Sequence, residues 1–175
     1  MPLRRFAALP VLLLALLLAA PAHAQNPIQL ALVAPTLQLV PESEAVNGLR
    51  ISLYGSNAAM TGLDIGLVSR TGGEFTGIQW GLVGLNEGNT TGIQIQTVSV
   101  TQGLMKGIQL GLVNSASSGE GFQWGAFNHS RNYRGLQLAF VNYAESMDGI
   151  QLGLINIIRE GGVLPVMPFV NWSFD

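Results

Sequence analysis

The chain has 175 residues and no cysteine, which excludes disulfides, thiolate metal sites, a cysteine nucleophile and a lipid-modified N-terminal cysteine. Charge is scarce, at 10% of residues. Histidine occurs twice, and only His129 lies beyond the first 24 residues, so a multi-histidine zinc site is excluded as well. No segment carries the apolar period of a helix. Beyond the N-terminal run, no stretch is apolar for the roughly 20 residues that a transmembrane helix needs. The glycines have neither a collagen period nor phosphate-loop spacing; Gly119-Glu-Gly121 and Gly125 precede no helix signal. What is present is 48% hydrophobic residues and 22 glycines, too apolar for ordinary disorder and suggestive of a repeat architecture.

The N-terminus has the layout of an export signal. Arg4 and Arg5 open it, Leu9 to Ala20 is apolar apart from Pro10, and Ala22-His23-Ala24 is a small-x-small cleavage site. Residues 1–24 are therefore expected to be a cleaved signal peptide, with the mature chain starting at Gln25. The expected location is the periplasm, the outer membrane or the cell surface. The mature chain holds six basic and ten acidic residues, a net charge of −4, with no basic footprint for nucleic acid.

An octapeptide of the form Gly-Ile-Gln-Leu-Gly-Leu-Val-Asn starts at Gly48, Gly62, Gly77, Gly92, Gly107, Gly121, Gly135 and Gly149, in steps of 14 or 15 residues. Counted from each glycine, the first, third and fifth positions are apolar, as in Ile108, Leu110 and Leu112. The second is Arg50, Asp64 and then Gln79, Gln94, Gln109, Gln123, Gln137 and Gln151. The fourth is glycine in five units, with Ser52, Gln96 and Ala139 in the others. This period of two is that of a strand with one apolar and one small, polar face. The linkers hold turn residues such as Gly72-Gly73 and Asn86-Glu-Gly88. An apolar residue stands two places before most repeat glycines (Met60, Phe75, Met105, Tyr133, Met147) and marks the end of a second short strand. Residues 25–47 read as an N-terminal cap, 48–156 as the repeat domain, and 157–175, with Pro165 and Pro168, as a C-terminal cap.

Two all-β folds bury such a face. In a β-solenoid of about eight 14–15-residue coils with short terminal caps, equivalent residues stack ~4.8 Å apart and the rod is on the order of 40 Å long. The apolar positions, Trp80 and Trp124 included, would then fill the interior. Asn114, Asn128, Asn142 and Asn156 would form an amide ladder. The glutamines would form another on the outside, a flat candidate interaction face of Gln79, Gln94, Gln109, Gln123, Gln137 and Gln151. In the alternative, an outer-membrane β-barrel, the apolar face would meet lipid. Uniform linkers and mid-strand tryptophans favour the solenoid.

Chemistry is sparse. His129 reads as a solvated turn residue with Ser130 beside it. Glu74, Glu87, Glu120, Glu145, Asp148 and Glu160 lie on linkers, and stacked coils would bring Glu145 and Glu160 within general acid/base reach. Solubilising turn charge is the simpler reading. The sequons at Asn89, Asn128 and Asn171 matter only in a glycosylating host. No catalytic residue, cofactor or metal is expected.

The units Gly62-Leu-Asp-Ile-Gly-Leu-Val-Ser69, Gly107-Ile-Gln-Leu-Gly-Leu-Val-Asn114 and Gly149-Ile-Gln-Leu-Gly-Leu-Ile-Asn156 resemble those of a bacterial family of surface repeat-containing proteins, familiar from spirochaetes. The resemblance extends to Asn47-Gly-Leu-Arg50 and to the ending Gly161 to Phe174; Gln96, Thr97 and Ser99 depart from the unit. It implies an exported or surface protein and carries no catalytic residues. The resulting expectation is a non-enzymatic envelope protein with a structural or binding role. Its partner would be another envelope or surface component, with outer-membrane association and self-association through open edges as further expectations. An integral membrane barrel, or a solenoid acting on polysaccharide through turn carboxylates, are the alternatives.

Overall fold

The computed structural model describes residues 26–174, so the signal segment lies outside the described residues. Every regular element among them is a strand: β1 (Ile28–Val33), β2 (Leu37–Gln38), β3 (Ala45–Asn57), β4 (Ala59–Thr71), β5 (Phe75–Asn86), β6 (Thr90–Leu110), β7 (Val113–Trp124), β8 (Phe127–Leu138), β9 (Val141–Glu160) and β10 (Val166–Ser173). They form one sheet in the order β10-β9-β8-β7-β6-β5-β4-β3-β1-β2. From β1 to β9, leaving aside β2, each strand is parallel to the next, with octapeptide paired on octapeptide. Gly62 faces Gly77, Ile78 faces Ile93 and Gln79 faces Gln94. This is a β-solenoid of about eight coils. Parallel, in-register pairing is incompatible with the antiparallel neighbours of a membrane barrel.

Beyond β1, the short β2 pairs antiparallel and covers part of the first edge. At the other end β10 returns antiparallel along β9, pairing Trp172 with Ile150 and Val166 with Ile157. The coils of 15 residues absorb their extra residue locally, as in the register shift between Thr101 and Leu104.

Each coil turns at its repeat glycine. All eight have φ between 122° and 154°, a conformation side chains rarely adopt. An added Cβ there would come closer than 3.0 Å to a carbonyl oxygen one coil back.

The solenoid interior is not the one expected. The glutamines point inward: Gln79, Gln94, Gln109, Gln123, Gln137 and Gln151 are all at most 1% exposed. They cannot form an outer interaction face. The apolar third and fifth positions point outward instead, and Trp80 and Trp124 are 57% and 55% exposed. The alternation defines two faces without saying which is inside. The fourth-position glycines decide it: a Cβ at Gly81, Gly111 or Gly153 would run into backbone carbonyl oxygen of the adjacent coil, so this is the crowded, inward side. Among the described residues 26 buried side chains are polar or charged and 13 are apolar, the reverse of an ordinary core.

Buried amides are tolerable only when bonded, and stacking supplies the bonds. Gln151 Nε2 donates to Gln137 Oε1 at 2.8 Å, Gln137 to Gln123 and Gln123 to Gln109 at 2.6 Å, Gln109 to Gln94 at 2.7 Å, and Gln94 to Gln79 at 2.9 Å. Gln79 Nε2 ends the row on Asp64 Oδ2 at 2.9 Å. Asp64 is in turn paired with Arg50, through Nε to Oδ1 at 2.8 Å and Nη2 to Oδ2 at 2.7 Å, and both side chains are fully buried. The two departures from glutamine at the second position are therefore one ion pair.

The asparagine ladder is present and runs the other way: Asn114 Nδ2 donates to Asn128, Asn128 to Asn142 and Asn142 to Asn156, at 2.9, 3.0 and 2.9 Å. The interior is apolar only beneath the linkers, where Met60, Phe75, Met105, Tyr133 and Met147 are buried. These are the apolar residues that precede the repeat glycines.

Candidate functional site

The coil has two walls of opposite design. Beneath the linkers Met60, Phe75, Met105, Tyr133 and Met147 are buried beside Asn57, Thr71, Asn86, Thr90 and Thr101, and the charges lie outside. Along the octapeptides amides lie inside, with leucine, isoleucine, valine and aromatic residues outside. Leu53, Leu67, Leu82, Leu112 and Leu154, stacked at the fifth position, are 49–60% exposed. An apolar surface that continues along the rod exceeds the scattered exposure of an ordinary soluble surface and marks a binding face.

The linker wall carries the charges, and they alternate in sign from coil to coil. Lys106 lies 3.4 Å from Glu120, and Arg134 lies 2.9 Å from Asp148. Arg70 bridges Glu42 and Glu87, each at 2.7 Å. Opposite charges stacked on neighbouring strands contribute little individually at a solvated surface, but they favour the in-register stack over a slipped one. Thus one long side of the rod suits water and the other does not.

A groove runs along the apolar wall, parallel to the axis, with a volume of about 930 Å³. Its floor is the fourth-position backbone of Gly81, Gly111, Gly125, Ala139 and Gly153. Its rims are third- and fifth-position side chains, among them Trp80, Trp124, Leu112 and Phe140. It is widened where Thr97 and Ala126 replace the usual bulky fifth residue. These departures from the repeat shape the groove. No ionisable side chain lines it.

The N–H groups of the floor are engaged within the sheet. Gly111, Gly125 and Ala139 N–H groups donate to the Trp124, Leu138 and Leu152 carbonyls at 3.0–3.1 Å. The same carbonyls accept a second bond, from Asn114, Asn128 and Asn142 Nδ2, at 2.9–3.2 Å. The buried asparagine row therefore braces the groove from inside.

Glu145 and Glu160 are exposed and both lie near Arg159. The Arg159 guanidinium is held above its usual pKa first by a hydrogen bond with Tyr143 and then by charge, Tyr143 ahead of the two glutamates. His129 stacks on Tyr143, with ring centroids 5.3 Å apart, and its Nδ1 lies 3.2 Å from the Ser115 hydroxyl, one coil back, so Ser130 is not its partner. Among the described residues no cluster of three metal-ligating side chains occurs. Of the sequons, Asn128 and Asn171 are buried, whereas Asn89 is exposed and bonded to Glu74 and Leu104.

Burial pushes the Tyr133 phenol well above its ordinary pKa. The folded state thus holds its proton longer than the unfolded state, whose value is about 10. This contribution is fully present below about pH 10 and is lost as pH rises beyond it, by up to ~1.4 kcal/mol per pH unit. Denaturant midpoints measured across that range should fall less steeply for Tyr133→Phe than for the parent. Parallel curves would show that Tyr133 does not set the alkaline limit.

No family model, curated protein or solved structure matches the chain.

Proposed function

We propose that the chain is a non-enzymatic, exported envelope protein that holds a lipid surface through its octapeptide wall. The observation that carries this reading is the inversion of that wall alone. Polar-inside, apolar-outside alternation is the pattern of strands facing lipid, and here it occupies one flank while the other carries the exposed charges. Such a rod lies along a bilayer with its apolar flank immersed and its charged linkers in solution, as an amphipathic helix does on a smaller scale. A solenoid suits this position because its ladders run along the axis and leave no lateral strand edge to desolvate. The basic start, apolar run and Ala22-His23-Ala24 site support export, as does the resemblance of the octapeptides to bacterial surface repeats.

Flotation with neutral phosphatidylcholine vesicles tests the reading. The protein from Gln25 onward should float with the vesicles, and added salt should not release it, since the contact is apolar. Leu112→Glu with Leu154→Glu should leave it at the bottom of the gradient, because a charge costs up to ~2–4 kcal/mol on a lipid-facing strand. Lys106→Gln on the linker wall should change nothing. Parent protein that never floats, with its fold intact by circular dichroism, would sink the proposal.

A further inference from the structure

We infer that the groove is a site for one acyl chain of a membrane lipid, an inference that rests on the lipid-facing reading of the wall. Its shape is linear. The lining passes from Trp80, on the coil of Gly77, to Leu154, on the coil of Gly149. That is five coil steps, or about 24 Å at ~4.8 Å per step. Two opposed chains fill a hydrocarbon core of about 30 Å, so the groove accepts one chain over its full length.

The chemistry selects hydrocarbon over other apolar occupants. A peptide brings backbone amides that need partners, and the Gly111, Gly125 and Ala139 N–H groups of the floor already donate to carbonyls of the next coil. A second copy mated by twofold symmetry would place groove against groove, leaving a void of twice the volume. A sugar would find the faces of Trp80 and Trp124 but no ionisable side chain in the lining to orient its hydroxyls. A uniform chain of methylenes needs none of these and matches a lining that repeats along the axis.

The widening at Thr97 and Ala126 is then the specific feature. A fifth-position leucine in every coil would narrow the channel, so these two residues make room. The test uses doxyl-labelled lysophosphatidylcholine, kept below its micelle-forming concentration, with the protein from Gln25 onward carrying Trp172→Phe. Fluorescence then reports Trp80 and Trp124 alone. Quenching should saturate at one lipid per chain. Thr97→Phe with Ala126→Phe fills the channel with apolar side chains and should weaken this binding at least tenfold; flotation is read on the parent protein alone. Leu112→Ala, which lowers the rim without filling the floor, should weaken it several-fold and serves if the filled variant misfolds. Quenching that rises linearly without saturating, or that is the same in folded filled and parent proteins, overturns the acyl site. Neither result touches the flotation assay, so the wall can stand when the groove falls.

Discussion

Exchanging Asp64 for glutamine alone lowers the stability of the fold by ~3–5 kcal/mol, and exchanging Arg50 for glutamine as well restores most of it. The reason lies in the row of second-position amides. A glutamine at position 64 would still accept from Gln79, so the glutamine ladder itself survives the single change. What does not survive is the partner of Arg50, whose guanidinium is fully buried and makes its two shortest bonds to the Asp64 carboxylate. The remaining acceptors of Arg50 are neutral: the Arg70 carbonyl at 3.0 Å, Thr71 Oγ1 at 3.2 Å and Asn57 Oδ1 at 3.4 Å. An unpaired charge in that position is the costly state. The double variant removes it and continues the row. Gln79 then donates to the new amide at position 64, and that amide donates to its counterpart at position 50. Some loss persists, because glutamine is shorter than arginine and abandons the Arg70 carbonyl. Chemical denaturation of the parent, both single variants and the double variant gives the coupling energy directly. A double variant as unstable as the sum of its singles would mean that the pair is not an exchangeable segment of the ladder.

The same row shows what the sequence made legible and what it did not. Eight glycines at a step of 14 or 15 specify coils, and identical residues at identical places specify parallel, in-register stacking; both are present in the fold. The asparagine ladder was legible for the same reason. The side of the strand facing inward was not. Placing Leu110 inside and Gln109 outside assumes that water surrounds the whole molecule, and the pattern itself contains no such statement. The fourth-position glycine was the available signal. Read as the mark of a flat outer surface, it is instead the mark of a crowded inner one, where the neighbouring coil's carbonyl leaves no room for a Cβ. The Arg50–Asp64 pair was also visible as two exceptions on adjacent units, which parallel stacking must bring together. The groove was the least legible feature, since it is made by Thr97 and Ala126 failing to repeat.

Gly107→Val is expected to cost more than ~4 kcal/mol, in the range reserved for changes that break a specific structural device. Gly107 has φ of 131°, outside the conformations open to a β-branched residue. Even after backbone relaxation, its Cβ would press on the carbonyl of Gly92, an atom fixed within the sheet. Moving that carbonyl shifts the register of the coil beneath, and with it the bond from Gln109 to Gln94, so one substitution strikes two rows. Because each coil contacts chiefly its neighbours, the damage should be local first. Hydrogen exchange should therefore show lost protection in β6 and β7 before the ends of the rod. Gly72→Ala is the control. Gly72 lies on a turn, is exposed, lacks the left-handed φ, and a Cβ there would meet only the Ala58 carbonyl oxygen at 3.8 Å and that of Asn57 at 3.9 Å. It should be neutral or stabilising by ~0.4–1 kcal/mol through the unfolded chain. If both variants unfold at the same denaturant concentration as the parent, the corner glycines are not what holds the coil, and the repeat would need another explanation for its most regular residue.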